Sequence, residues 1–349
     1  MFKIEHPIVL APMAGAMDWE LAAEVAEAGA LASLPCGMLT PEKICDEIAS
    51  FRAKTNTPIN LNFFAHAVPT RNNAREVKWR ARLAPYYREL GVDPAAFAPQ
   101  ANRAPFDAAA LQIVLKLRPE VVSFQYGLPD DSLLAPLRDA NIPVVGCATT
   151  VAEARWLEAR NVTAIVAQGF EAGGHRGMFL SNNIASQVGT FALVPQVVDA
   201  VKVPVIASGG IGDARGIAAA VALGAAGAQL GTAYLRCPEA KISAPYRAAL
   251  VSATDEATVL TNVMSGRPAR GVINRLMQEV GPISDDVPEF PLAAGALAPL
   301  RAKAEAAGAG DFSPMWSGQA APLGRAMPAR ELTMMLAAEA QDLLRRMAA

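Results

Sequence analysis

Short apolar runs recur along the chain, each leaving through Gly, Ser or Asn residues into an amphipathic segment. Eight of them read as strands: 7–13 (PIVLAPM), 30–36 (ALASLPC), 58–64 (PINLNFF), 121–127 (VVSFQYG), 143–149 (PVVGCAT), 164–170 (AIVAQGF), 204–210 (PVIASGG) and 227–235 (GAQLGTAYL). Each is nearly continuous in apolar or small residues, the pattern of strands covered on both faces. The segments between them carry helix signals. Asp18 is placed to cap a helix that stops at Gly29, and Asp213 one that stops at Gly224. Thr150 and Glu153 have capping-box spacing, and 41–54 and 195–201 complete the alternation. Strands alternating with helices imply parallel pairing through crossovers. Eight such units within about 235 residues match an α/β fold of the (β/α)8 TIM-barrel type. A doubly wound open sheet is the alternative, because alternation alone does not show closure.

Two stretches depart from the repeat. Residues 65–120 are too long for one crossover helix and carry charged and aromatic material at 71–82 and at Tyr86 and Tyr87. They read as the third helix plus an inserted excursion. Residues 236–349 follow the last strand, with helical patterns at 244–253 and 329–347 and a looser Pro-, Gly- and Ala-rich stretch at 279–310. The expected organisation is a barrel over 1–235 and a helical C-terminal region, 236–349, packed over one end of it.

Composition narrows the class. With 52% hydrophobic and 18% charged residues, the chain has ample core material and is not disordered. A net charge of −2 gives no electrostatic case for nucleic acid or an anionic membrane surface. Cysteines 36, 45, 147 and 237 stand apart, which suggests reduced thiols in a cytoplasmic protein rather than disulfides or a zinc site. The first apolar run holds Pro7 and Pro12 and reads as a buried strand, not a signal peptide. No apolar run suggests a membrane span.

In a parallel barrel the active site lies at the C-terminal ends of the strands. Those exits hold amides, glycines and small hydroxyls: Met13, Asn62, Gln125, Gln168, Ser208, Gly210, Gln229, Leu230, Gly231 and Thr232. Almost no carboxylate accompanies them, so neither a divalent metal nor two-carboxylate glycoside hydrolysis is favoured. The seventh and eighth exits, Ser208-Gly209-Gly210 and Gly231-Thr232, have the chemistry of a phosphate site. The phosphate of a flavin mononucleotide or of a sugar would suit them equally.

The sixth exit runs QGFEAGGHRG at 168–177, and its glycines at 169, 173, 174 and 177 permit close ligand approach around His175. A histidine there is placed to act as a base, against the plainer reading of a loop histidine bonded to its neighbours. His6 lies before the first strand and reads as structural. His66, just past the third exit, reads equally as a site residue or a solvent-facing one. Arg267 and Arg270 in SGRPARG at 265–271 suit either an anion-binding loop or a surface turn that pairs them with helix carbonyls or carboxylates.

APMAG at 11–15, NLNFF at 60–64, QGFEAGGHRG at 168–177, VIASGGI at 205–211, GAAGAQLGTAYL at 224–235, SGRPARG at 265–271 and MWSGQAAPLGR at 315–325 span most of the chain. With these motifs it closely resembles the nitronate monooxygenases, formerly 2-nitropropane dioxygenases, in their class I form. The resemblance implies an FMN-dependent enzyme that oxidises nitronates, and possible nitroalkane substrates, with O2 to a carbonyl compound and nitrite. It implies His175 as catalytic base and flavin contacts from Met13, Asn62, Gln168, Gly173, Gly210 and the run from Gln229 to Thr232. The sequence departs from the family at the fourth exit, where relatives often have Ser-Phe-His-Phe-Gly and this chain has Gln125 in place of the histidine. An FMN-dependent reductase using NAD(P)H, acting on enoyl-acyl-carrier-protein or quinone, is the alternative on the same scaffold. The resemblance assigns no role to Arg176.

Overall fold

The computed structural model describes residues 2–95 and 103–349. All eight apolar runs form parallel strands, each shorter than its run. They are β1 (Ile8–Leu10), β2 (Ala32–Pro35), β3 (Ile59–Phe64), β4 (Val121–Gln125), β5 (Val144–Ala148) and β6 (Ala164–Gln168), followed after a two-residue strand outside the barrel, β7 (Gly174–His175), by β8 (Val205–Ser208) and β9 (Gly227–Leu230). The sheet runs β1-β9-β8-β6-β5-β4-β3-β2. A parallel bridge between Val9 and Leu31 joins its two ends, with Leu10 N–H donating to Leu31 O at 2.9 Å and Leu31 N–H to Ile8 O at 3.0 Å. Closure removes the open-sheet alternative.

Alternation along the strands divides the core. Val9, Leu31, Val121, Val145, Val166 and Ile206 fill the barrel interior with Cys147, while Ile8, Leu10, Leu34, Ile59, Ile165 and Leu230 pack in the larger cluster that contains the outer helices. The interior is thus a packed core rather than a pore.

The outer layer consists of α1 (Trp19–Glu27), α2 (Pro41–Lys54), α4 (Ala108–Leu117), α5 (Asp131–Asp139), α6 (Val151–Glu158), α7 (Thr190–Ala200) and α8 (Ala214–Ala222), with α3 (Asn73–Glu89) outside it. Asp18 accepts from Glu20 N–H and Asp213 from Arg215 N–H, both at 3.0 Å, caps worth about 1 kcal/mol each. Thr150 accepts from Glu153 N–H, but the Glu153 carboxylate does not return to Thr150 as a capping box would. Buried, it takes Thr149 N–H and hydroxyl at 2.7 Å and Phe179 N–H at 2.6 Å. Helix α7 starts at Thr190, five residues before the expected Pro195, because the Glu171 carboxylate accepts from Thr190 N–H at 2.8 Å.

The excursion after β3 comes first and the crossover helix second. Helix α3 buries Trp79, Leu83, Tyr86 and Tyr87 in a separate cluster with C-terminal residues, and Tyr87 donates its hydroxyl to Ala296 O at 2.5 Å. Part of the expected insertion, 96–102, lies outside the described residues.

The C-terminal region differs from the expectation in three respects. Besides α9 (Ala244–Val251), α10 (Arg275–Val280), α11 (Ala294–Ala306) and α12 (Ala329–Ala348), it contains the antiparallel pair β10 (Thr258–Thr261) and β11 (Ala269–Val272). The stretch read as loose, 279–310, contains α11, whose Leu297 and Leu300 are buried against the α3 aromatics. Helix α12 does not cover a barrel end. It packs against α1 and α8, the place of an eighth outer helix, and Tyr234 at the β9 exit hydrogen-bonds its Thr333 at 2.9 Å. No helix among the described residues is long and apolar enough to cross a membrane.

Candidate active site

The strand exits surround one cavity whose walls include Met13, Asn62, Gln168, Gly173, Ser208, Gly210, Gln229, Gly231, Thr232 and His175. Leu230 is the exception among the expected contacts. Its side chain is fully buried in the layer facing the helices and does not line the cavity, because on a strand the neighbours of the inward-facing Gln229 point outward.

One side of the cavity is amides and glycines. Asn62 Nδ2 donates to Ser123 Oγ at 2.9 Å, and Gln229 Nε2 reaches Ser208 Oγ at 3.4 Å. Gly209 and Gly210 hold consecutive positive φ angles of 106° and 69°, a turn that a side-chain-bearing residue would strain. Gly173 is needed for a different reason. A Cβ there would lie 2.5 Å from Gly318 N, so the glycine lets the 168–177 loop pack directly against the C-terminal segment. Thr232 Oγ1 accepts from Gly318 N–H at 2.9 Å and ties that segment to the β9 exit.

The other side carries His175. It lies on β7, which pairs antiparallel with β11, His175 opposite Ala269 and Gly174 opposite Arg270. Its Nε2 is 2.8 Å from Ser265 Oγ, and that hydroxyl also reaches Arg267 O at 3.2 Å. Both neighbouring glutamines hold its backbone. Gln168 Nε2 and Gln125 Nε2 donate to His175 O at 3.1 and 3.2 Å, while Gln168 Oε1 accepts from Gly177 N–H at 2.8 Å. Gln125, the departure from the family pattern, therefore supports the histidine loop and also lines the cavity. Tyr126, Phe290 and Trp316 surround the imidazole with ring centroids 6.3, 5.3 and 5.1 Å away. Desolvation, reinforced by the positive charges of Arg103 and Arg267, holds its pKa well below the ordinary histidine value, so the ring is neutral at pH 7.

The arginines of the motifs have structural partners. Arg176 is fully buried and donates to Gly169 O at 2.6 Å, Gln168 O at 2.8 Å and Gln187 Oε1 at 3.0 Å. Arg270 donates to Phe170 O at 3.1 Å, and Arg267 donates to Met178 O and stacks 4.0 Å over the Tyr126 ring. Neither Arg267 nor Arg270 lines the cavity, and both pair with carbonyls, but those carbonyls belong to loop residues rather than helices and Arg270 is buried rather than at the surface. His66 is buried under Phe64, Tyr126 and Phe290 rather than facing solvent, its pKa lowered to about 4, chiefly by burial. His6 lies at the opposite end of the barrel, beside Pro7 and Gly227.

Sequence reasoning missed Arg103, Phe290 and Trp316 on this wall; it placed Tyr126 at the fourth exit without a role, and it did not foresee the bond from Ser265 to His175. The one available signal was TVLT at 258–261 followed by a Gly- and Pro-containing turn and ARGV at 269–272, a hairpin pattern.

The fold and site define a closed (β/α)8 barrel with a glycine-and-amide cradle and a desolvated histidine at the C-terminal ends of its strands, the place of a barrel enzyme's active site. The nitronate monooxygenase family model matches residues 1–339. A nitronate monooxygenase of Paraburkholderia phytofirmans is 40% identical over 341 residues, covering 97% of this chain and 93% of the relative. Among solved structures, a nitroalkane oxidase from Streptomyces ansochromogenes superposes with a TM-score of 0.91 at 36% identity, covering 99% of both chains. FabK from Thermotoga maritima superposes with a TM-score of 0.74 at 26% identity, covering 99% of this chain and 96% of FabK. The chain belongs to the nitronate monooxygenase family, a family of flavin-dependent oxidoreductases.

Proposed function

We propose that the protein is an FMN-dependent nitronate monooxygenase that uses O2 to convert alkyl nitronates to a carbonyl compound and nitrite. On neutral nitroalkanes, His175 first removes the α-proton. The observation that carries this reading is the His175 imidazole, held through Nε2 by Ser265 at 2.8 Å, on the wall of a cavity whose opposite side is amides and glycines.

The residues present fit a flavin mononucleotide. Asn62, Gln168 and Gln229 bring amide groups to one cavity that a planar ring with polar edges could occupy, beside the Met13 side chain. The positive-φ turn at Gly209 and Gly210 leaves a bare backbone at the seventh barrel exit, suited to a phosphate. Met13, Asn62, Gln168, Gly173, Ser208, Gly210, Gln229, Gly231 and Thr232 are the proposed cofactor-binding set. Bound flavin supplies the electron acceptance and oxygen chemistry that no side chain offers.

The chain's own work is proton transfer and placement. When the Ser265 proton points to Arg267 O, Nε2 carries the imidazole hydrogen and donates it to Ser265, which leaves Nδ1 as the basic atom. Low pKa keeps that atom unprotonated across neutral pH. The imidazolium formed by proton removal stands near Arg103 and Arg267, so the nitronate formed with it is the counter-charge that makes the step tolerable. Aromatic rings around the histidine exclude water from the anion. Substrates already ionised need no base. Replacing His175 with Asn tests the assignment: nitroalkane turnover should fall sharply while nitronate turnover persists, and unchanged nitroalkane turnover would remove His175 from the mechanism.

A further inference from the structure

Two polar side chains at the histidine side of the cavity carry buried polar atoms that have no hydrogen-bond partner among the described residues. Tyr126 is only 4% exposed, lines the cavity, and its hydroxyl has no hydrogen-bond partner among the described residues. A buried, unsatisfied hydroxyl costs about 1–3 kcal/mol. Its backbone is strained as well, at φ 75°, a left-handed conformation uncommon for a residue with a bulky side chain. Arg103 lines the same cavity with Nε and Nη1 buried and without partners among the described residues, its guanidinium 5.6 Å from the Phe290 ring. It contrasts with Arg176 and Arg270, each bonded to a backbone carbonyl, and with Arg267, whose Nε lacks a partner among the described residues but which donates to Met178 O. Nor is there a carboxylate to pair with it here: Glu305, the cavity's acidic residue, is bonded to Ser313 at 2.6 Å and Arg301 at 2.9 Å.

A guanidinium and a phenol left open toward one cavity are donors awaiting oxygen acceptors. The cofactor phosphate does not meet that need, because its glycine turn follows β8, whereas Tyr126 follows β4, three strands away around the closed sheet. We propose that Arg103 and Tyr126 form an anion clamp that holds the charged oxygens of the substrate beside His175. This rests on the nitronate reading for the identity of the anion, though not for the existence of the clamp. A planar nitronate presents two oxygens to the clamp, Arg103 donating through its unpaired N–H groups and Tyr126 through its hydroxyl. The nitronate oxygens carry a full negative charge where those of the neutral nitroalkane do not, so the clamp favours the ionised form.

Propionate is the probe, since its carboxylate has the shape and charge of a nitronate and is not oxidised in the same way. Calorimetric titration of the flavin-loaded protein should give a measurable affinity that falls about tenfold or more in Arg103→Met and several-fold in Tyr126→Phe. Arg103→Lys should retain part of it, because charge remains while the planar fork is lost. In steady state the same variants should raise KM for an alkyl nitronate more than they lower kcat. Equal propionate affinity in wild type and variants of normal thermal stability, or no propionate binding by wild type, would overturn the clamp. If propionate binding behaves as expected but no nitronate is oxidised, the clamp stands and the nitronate reading fails.

Discussion

The two sides of the cavity are built in opposite ways. On the glycine-and-amide side the exits of β8 and β9 are neighbours in the sheet and short in sequence, Ser208 to Gly210 supplying one stretch and Gln229, Gly231 and Thr232 the other, with Asn62 and Gln168 joining from β3 and β6. The histidine side is gathered from distant places. Tyr126 follows β4, Ser265 precedes β11, and Phe290 and Trp316 lie in the C-terminal region. A backbone cradle requires only that the chain turn tightly, so a short motif specifies it. A desolvated base requires several side chains to converge, so tertiary structure specifies it. Substitutions on the first side should therefore act on cofactor retention, and those on the second on proton transfer and substrate binding.

The largest separation of the two sides should come from His175→Asn. Loss of a positioned base should lower kcat/KM for a neutral nitroalkane by about 10²–10⁴-fold with flavin content unchanged, read by nitrite release and flavin absorbance. Arg176→Met should destabilise both sides at once. It strands the Gly169 and Gln168 carbonyls in a fully buried site, for a loss of about 3 kcal/mol in denaturant unfolding of the holoprotein. Next in size is Ser265→Ala, which frees Nε2 and should lower nitroalkane turnover about tenfold while sparing nitronates. Gly210→Ala forces a methyl-bearing residue to φ 69° and should weaken flavin retention about tenfold, measured by equilibrium dialysis, with the nitroalkane-to-nitronate ratio of the loaded fraction unchanged.

The last effect is one of pH. Folding lowers the His66 pKa to about 4 and that of His175 well below 6.5. The unfolded chain therefore binds protons that the folded chain refuses as pH falls below about 6.5, so acidification removes stability. His66→Gln should recover at most about 2 kcal/mol of the loss between pH 7 and pH 5, seen as a shallower fall in Tm. An equal fall in both proteins would contradict the burial of a neutral His66.

The barrel was legible because apolar runs at parallel-strand length carry their own signal, and Asp18 and Asp213 cap where their spacing implies. Closure was not, since it depends on the Val9–Leu31 bridge, which no local pattern encodes. The C-terminal region was read least well. Its Ala- and Pro-rich stretch forms α11 because α3 offers it Trp79, Leu83 and Tyr87 to pack on, a partner about 210 residues earlier. Within the site, His175 and the glycine turn were visible as motifs. Arg176 shows the limit: next to the candidate base in sequence, it turns away to hold the loop from behind, and its burial decides its role.

Anaerobic mixing of the purified flavoprotein with ethyl nitronate, and separately with NADH and NADPH, followed by flavin absorbance, tests the central claim most directly. Rapid bleaching by the nitronate, with neither nicotinamide reducing the flavin at a comparable rate, is the predicted result. Rapid bleaching by NADH or NADPH with none by the nitronate would contradict it and identify a nicotinamide-dependent reductase on the same barrel.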